Sequence, residues 1–493
     1  MEFLMGLWNF FNYNIFAKPA FFIGIIVFIG YLLLKRPFYI AFAGFIKATV
    51  GYLILSEGSG GLVNNFRPIL VGLNERFHMS AAVIDPYYGQ IAAENLIVEV
   101  GRSVSLGMSV LILGFFINIL LVALKRFTKI RSLMITGHTM VCQCSLVVWL
   151  VLFAFPEASD LTIIICTGIL MGVYWGATTN LTVEACQELT DGAGFVVGHN
   201  QMFGVWAAYR LSGKIGKGSK SVDELKLPGW LSIFSDNVVS SGVLMILFFG
   251  ILMSILGPDL LHEIDPSFAE TQNFAFYVVE KSLKFSVYMS ILLLGVRMFV
   301  AELSESFHGI SEKLLPGSMA GIDCAATYGF APENTMMFGF LFGVLGQFLA
   351  ILGLVVFRSP VLVITGFVPV FFDNATIACF ANKRGGIRAV AILTFVSGVI
   401  QVLGGAFAAG FFRTASYGGW YGNFDFEVFW PWAGVLFKYA GYIGLAAVIL
   451  FLLAIPQLQY RRNKDGYFEI ATDYEAVKAR KESSKVKGSA GNE

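Results

Sequence analysis

Apolar residues run along this chain in blocks of about 20, the length at which a helix crosses a ~30 Å hydrocarbon core. The blocks Pro19–Leu34, Leu106–Leu124, Val238–Leu256, Phe338–Phe357 and Tyr439–Ile455 contain no charged residue. Two further apolar stretches share the same polar break. MITGHTMVCQCS (Met134–Ser145) and LVITGFVPVFFDNA (Leu362–Ala375) both carry Ile-Thr-Gly followed by hydrogen-bonding side chains. The pattern predicts an all-α polytopic membrane protein of about eleven transmembrane helices, with inverted repeats and re-entrant hairpins.

Charge supplies an orientation. Lys and Arg cluster at Lys35-Arg36, Lys125–Arg131, Arg210–Lys226, Lys383–Arg388 and in the tail from Arg461. The loops Phe155–Asp160, Pro258–Glu270 and Tyr421–Glu427 are acidic instead. By the positive-inside rule the basic set faces the cytoplasm, with the N-terminus outside and the C-terminus inside. Residues 1–459 then form the transmembrane domain. Residues 460–493 read as a short cytoplasmic tail, partly disordered because its mixed charges lack a hydrophobic period. The first residues, MEFLMGLWNFF, have no basic n-region, so no cleaved signal peptide is expected.

Composition narrows the class. With 56% hydrophobic and 14% charged residues and a mean hydropathy of +0.72, the chain has far less than the ~25% charge of a soluble domain. Its net charge of +1 gives no reason to expect a nucleic-acid partner. The six cysteines show neither a disulfide framework nor a tetrahedral metal spacing, and Cys142 and Cys144 read as packing residues.

An internal repeat explains the doubled break. GYLILSEGSGGLVNNFRPILVG from Gly51 echoes VRMFVAELSESFHGISEKLLPG from Val296, which sets Glu57 against Glu302. AVID (Ala82–Asp85) matches AGID (Ala320–Asp323), and RSLMITGHTM from Arg131 matches RSPVLVITGFVP from Arg358. A strongly basic loop precedes the first Ile-Thr-Gly but follows the second, so the halves, roughly 37–153 and 279–412, enter the bilayer from opposite sides. Inverted repeats with interrupted segments are a transporter signature, with substrate bound near the midplane.

Ionisable groups at membrane depth are costly and face a bundle interior or a wet cavity. Asp85, Thr136, His138, Thr139, Gln143, His199-Asn200-Gln201 and Asp323 are candidates. Two of the five histidines follow glycine, at Gly137-His138 and Gly198-His199. Amides and hydroxyls close behind them suit a polyhydroxylated ligand, although each histidine alone reads equally well as a satisfied buried side chain. Glu57 and Glu302 are expected to cap a re-entrant hairpin or to pair with Arg67 or Arg297. Asp323 and Asp373-Asn374 are candidate helix caps. The near P-loop GKIGKGS (Gly213–Ser219) has Ser where Lys is required, and no HExxH or nucleophile elbow occurs, so the chain alone should not hydrolyse ATP.

Longer stretches carry a resemblance. CQELTDGAGFVVGHNQ from Cys186, DELKLPGWLSIFSDN from Asp223, GVRMFVAELSESFHGIS from Gly295, LLPGSMAGIDCAATYGFAPEN from Leu314 and GFVPVFFDNATIACFAN from Gly366 resemble the ascorbate-specific permease (IIC) components of the bacterial phosphotransferase system. The resemblance implies a homodimeric multi-pass permease of the bacterial cell inner membrane, with a sugar-binding core domain rocking against a V-motif domain. It implies L-ascorbate as substrate, phosphorylated by a separate cytosolic IIB protein charged through IIA, with no cofactor and no catalytic residue in this chain. The substrate contacts it implies fall on Pro86, Tyr87, the run His138, Thr139, Met140, Val141 and Cys142, then His199, Asn200 and Asp323. Tyr87 is expected to close over the ligand. The family pattern has Gln where this chain has Cys142, often Gln where it has Asn200, and a small polar residue in place of Pro86. These departures leave a related sugar acid or ketose open as the substrate. An ion-coupled secondary transporter, using Glu57, Glu302 or Asp323, remains the alternative. An intramembrane enzyme lacks a nucleophile–base pair or metal site, and a sensor lacks a signalling domain.

Overall fold

A computed structural model describes residues 19–77, 80–225, 229, 237–315 and 317–480. Most of the KLPGWL stretch and the last part of the tail lie outside the described residues. Single turns aside, the order is α1 (Pro19–Leu33), α2 (Phe38–Phe77), β1 (Ser80–Ile84), α3 (Pro86–Glu99), α4 (Ser105–Ala123), β2 (Ser132–Met134), α5 (Gly137–Ala154), α6 (Asp160–Leu181), α7 (Val183–Thr190), β3 (Phe195–Val197), α8 (Met202–Ile215), α9 (Asn237–Leu256), α10 (Pro258–Ile264), α11 (Phe274–Leu314), β4 (Met319–Ile322), α12 (Glu333–Val356), β5 (Val361–Thr365), α13 (Asn374–Phe411), β6 (Gly419–Trp420), α14 (Phe424–Val428) and α15 (Trp430–Arg462). Among the described residues seven helices are long and apolar enough to cross a membrane, or eight if the bent pair Met245–Leu256 and Pro258–Ile264 is one span. The protein is therefore an all-α polytopic membrane protein. Two of the seven, residues 368–411 and 424–462, are about twice as long as a ~30 Å core requires. Each is broken into two arms at a glycine with positive φ, Gly386 (+56°) and Gly441 (+57°).

The helices group by packing. α1, α2, α9 and α11 pack chiefly on one another. Phe66 of α2 stacks on Phe249 of α9 at 4.2 Å between ring centroids and meets Phe285 of α11 at 5.5 Å. Backbones touch where α2 crosses α11, since a Cβ on Gly295 would lie 2.3 Å from the Leu55 nitrogen. The second group holds α12 against α13, α4 against α6, and α8 against α13. At its centre α5 is buried at every residue from Gly137 to Leu152.

Six very short strands depart from a purely helical reading. They form two three-stranded parallel sheets, ordered β5-β1-β6 and β2-β4-β3. The pairing exchanges between the halves: the AVID strand β1 pairs with the second Ile-Thr-Gly strand β5, and the AGID strand β4 pairs with the first, β2. Such swapped partners are what two symmetry-related halves produce. The third strands extend the correspondence beyond what the sequence comparison found. Val197 of β3 pairs with Ile322, and Trp420 of β6 pairs with Ile84. Asn200 and Asn423 follow three residues after each, and their side chains meet at 3.4 Å.

Three expectations need correction. Residues 421–427 are not a solvated acidic loop, because Asn423 and Asp425 are fully buried and Glu427 nearly so. The tail to residue 480 is docked rather than loose, with Tyr467 fully buried and Ile470 and Val477 packed with α7 and β3. Glu57 and Glu302 cap no hairpin, since each lies within a continuous helix. Glu302 accepts from Tyr31 Oη at 2.6 Å and pairs with Lys47 at 3.0 Å rather than with Arg67, while the side chain of Arg297 lies outside the described residues.

Candidate functional site

The strands run into one region and stop at polar residues. A backbone that ends inside an apolar body must satisfy its own amides. Neighbouring strands do this: Ile135 N donates to Gly321 O, Gly198 N to Ile322 O, Gly366 N to Ile84 O and Asp85 N to Trp420 O, all at 2.8–2.9 Å. Gly198 permits one of these approaches, because a Cβ there would sit 2.8 Å from the Gly321 carbonyl.

Each AVID-type strand then hands over to a capped helix. Asp85 Oδ1 accepts from Tyr87 N at 3.1 Å at the start of α3, and its Oδ2 accepts from Val368 N at 3.3 Å. Asp323 Oδ1 accepts from Ala325 N at 2.8 Å at the start of the 3₁₀ turn Cys324–Phe330. The cap uses one oxygen of Asp323 and leaves the other facing His138, whose Nε2 lies 3.4 Å away. The His199 ring stands 5.9 Å from that of His138. Ligand atoms from His138, His199 and Asp323 all fall within 4.8 Å of one another. Three separate elements thus converge: the start of α5, the turn after β3 and the turn after β4.

Supporting bonds fix this trio. His199 Nδ1 lies 2.8 Å from Gln201 Oε1, which fixes the ring. Gln143 Nε2 donates to His199 O at 3.0 Å and to Asn200 Oδ1 at 2.7 Å, while its Oε1 accepts from Trp175 Nε1 at 2.7 Å. Asn200 Oδ1 also accepts from Tyr421 Oη at 3.1 Å. Gln143 and Asn200 are therefore occupied in holding the His199 turn. Thr139 Oγ1 donates to Thr136 O at 2.8 Å, and Met140 and Val141 are packed in the core. Pro86 and Tyr87 open α3 and are buried. Cys142 Sγ donates to Gln90 Oε1 at 2.9 Å, and Gln90 Nε2 donates to Glu94 at 2.8 Å.

Two carboxylates do structural work that the sequence reading missed. Asp373 does not cap the helix that follows it; it accepts from Asn423 Nδ2 and Phe424 N, both at 2.6 Å, and so caps α14. Asp425 accepts from Met202 N at 3.1 Å and Phe203 N at 2.9 Å, which caps α8 just after His199 and Asn200. Only the burial of residues 421–427 reveals this, since their composition is that of a loop.

Chemically, two imidazoles beside a carboxylate can donate to and accept from adjacent hydroxyls. The same donor set is of a kind that holds a divalent cation. There is no nucleophile with a neighbouring general base at this point among the described residues.

Comparison with known proteins follows the same direction. Residues 14–432 match the family profile described as EIIC-GAT, PTS system sugar-specific permease component. The chain is also 32% identical over 436 residues to a protein of Mycoplasma pneumoniae (strain ATCC 29342 / M129 / Subtype 1) named "Ascorbate-specific PTS system EIIC component". That match covers 80% of this chain but only 65% of the length of the relative.

Proposed function

The chain belongs to the sugar-specific permease components of the phosphotransferase system, and from that premise we propose that it binds L-ascorbate and carries it across the membrane for phosphorylation by a separate IIB protein. The observation that carries this reading is the convergence of His138, His199 and Asp323. Ascorbate is a small enediol acid with vicinal hydroxyls. The imidazoles donate to its ionised enediol, and Asp323 accepts from a side-chain hydroxyl. Pro86 and Tyr87 close the pocket from α3, the run His138–Cys142 lines its floor, and Asn200 acts through the turn it pins. The relative's name supports the choice of substrate.

Movement follows from the grouping of helices. The site lies within the second group, which is the core, and α1, α2, α9 and α11 form the V-motif frame. Where the two meet, a cavity of about 360 Å³ is lined by Leu247, Ile251, Leu341, Val344, Leu345 and Phe348. A loosely filled apolar seam, without cross-linking ion pairs among the described residues, lets one group slide on the other. The basic loops at Lys125–Arg131 and Lys383–Arg388 face the cytoplasm, where IIB and its donor IIA act, and the permease works as a homodimer. Phosphorylation makes uptake one-way, because the charged ester does not recross the bilayer.

Uptake of labelled ascorbate by cells supplied with IIA and IIB tests this, with chemical identification of the internal product. Phosphorylated ascorbate that persists after the proton and sodium gradients are collapsed supports the reading. Free ascorbate whose accumulation collapses with those gradients would replace it with the ion-coupled alternative.

A further inference from the structure

A polar cavity lies on helices other than those that carry His138 and His199. It occupies about 480 Å³ between α2, α11 and the turn after α10, a volume in the range that holds small ligands. The charged groups lining it are Arg67, Lys281, Lys284 and a single acid, Asp265. Lys281 is almost wholly buried, with its ammonium 2.5 Å from Asp265 Oδ2 and donating to Ser267 Oγ at 3.1 Å. Tyr277 Oη donates to the same carboxylate at 2.6 Å. The one acid is therefore spent on the one buried cation.

Arg67 and Lys284 remain. Lys284 pairs with Glu280 one turn back, but that carboxylate is 54% exposed, so the pair is water-screened and weak. Arg67 makes no ion pair among the described residues. Its side chain lines the cavity while remaining exposed, so its donors are open to a ligand. The apolar span of α2 ends at Gly58, and Arg67 lies about 13 Å farther along the helix axis. For a helix tilted by about 40°, the upper end of the usual range, that is the headgroup level of a bilayer. Tyr288 lines the same cavity and Tyr277 stands by Lys281, as amphipathic rings do at membrane interfaces.

We propose that this cavity is a binding site for a phosphate-bearing anion, the headgroup of an anionic phospholipid or a soluble phosphate of similar size. A planar guanidinium presents paired donors that match two phosphate oxygens, and the Lys284 ammonium adds a point charge. By the topology read from the charged loops this cavity lies on the face away from the cytoplasm, so the headgroup it would meet belongs to the outer leaflet, where paired Arg and Lys donors match phosphate oxygens in the same way. The site lies on the α2–α11 pair and not at the substrate trio. It therefore goes beyond the transport reading: a bound anion would tie the α10–α11 turn to α2 and stiffen that frame.

The test uses the purified full chain in neutral detergent and the double variant Arg67→Gln/Lys284→Gln. Native mass spectrometry with added phosphatidylglycerol or phosphatidylcholine reads the lipid arm. A thermal shift with inorganic phosphate reads the soluble arm. The expected result is retention of phosphatidylglycerol at least about tenfold above phosphatidylcholine, lost in the double variant. Protection by phosphate alone, also lost in the variant, would assign the site to a soluble anion. Equal retention of both lipids with no phosphate effect, or the same behaviour in the variant, overturns the proposal. Ascorbate binding measured on the same samples keeps the two readings separable, since neither substitution touches the histidine site.

Discussion

Replacement of Tyr467 by alanine should loosen the base of the segment that leads to His138. Arg131 opens the segment that leads through β2 to His138, and it is fully buried. Its Nη1 donates to Tyr467 O at 2.6 Å, its Nε to Asn180 Oδ1 at 3.1 Å and its Nη2 to Glu184 Oε1 at 3.0 Å. The guanidinium also lies 3.5 Å from the Tyr467 ring centroid. The Tyr467 hydroxyl donates to Lys129 O at 2.7 Å and accepts from Asn180 Nδ2 at 3.0 Å. Emptying an aromatic site costs about 3–5 kcal/mol. A desolvated cation–π contact is worth about 2 kcal/mol, which overlaps with that figure rather than adding to it. The expected loss is therefore about 3–5 kcal/mol of tail docking, against about 1–3 kcal/mol for Tyr467→Phe, which removes only the hydroxyl's bonds to Lys129, Asn180 and Pro456. Limited trypsin digestion in mild detergent, with sites at Arg461, Arg462 and Lys464, should cut the alanine variant much faster than wild type and the phenylalanine variant at an intermediate rate. Uptake should fall in the same order. Equal cutting rates for all three proteins would refute the claim that the tail is held there.

Other consequences are independent of the tail. Asn200→Ala should lower the thermal midpoint as well as uptake, by about 1–3 kcal/mol in stability, because Gln143 and Tyr421 each lose a buried acceptor; a variant with wild-type stability and lost binding would make Asn200 a direct contact instead. Burial pushes the Asp265 carboxyl up, but the Lys281 ammonium and the Tyr277 and Ser267 donors outweigh it and hold it below the usual carboxylate range. A depressed carboxyl stabilises above its unfolded value of about 3.9 and stops doing so as pH falls through its folded value. Asp265→Asn should therefore melt below wild type at pH 7, with the gap closing as pH falls below about 4; a gap that widens in acid would contradict this. Chelation by EDTA should leave ascorbate binding unchanged, since the His138, His199 and Asp323 donors are assigned to hydroxyls; binding restored only by a divalent cation would reassign the trio.

The sequence revealed most where polarity is expensive. A histidine or aspartate inside an apolar run stands out, and Asp85, His138, His199 and Asp323 were legible for that reason. The repeat linked the two Ile-Thr-Gly breaks, and the swapped pairing of β1 with β5 and of β4 with β2 agrees with it. What stayed hidden depends on partners far along the chain. Residues 421–427 have the composition of a loop, and only packing shows that Asp425 caps α8. The mixed charges of the tail conceal that Tyr467 fills a site prepared by Arg131 and Asn180. Glu302 looked like a membrane-depth carboxylate, but its neutralising Lys47 comes from a different helix. The strands are two to five residues long, too short for any period to register.

The most direct measurement is equilibrium binding of L-ascorbate to the purified full chain, compared with His138→Ala, His199→Ala and Asp323→Asn proteins whose thermal midpoints match wild type. The account predicts saturable binding by wild type and a loss of about 10- to 100-fold in each variant, as expected when one charge-assisted hydrogen bond is removed. Wild-type affinity in all three variants, or no saturable binding of ascorbate by the native chain, would contradict it.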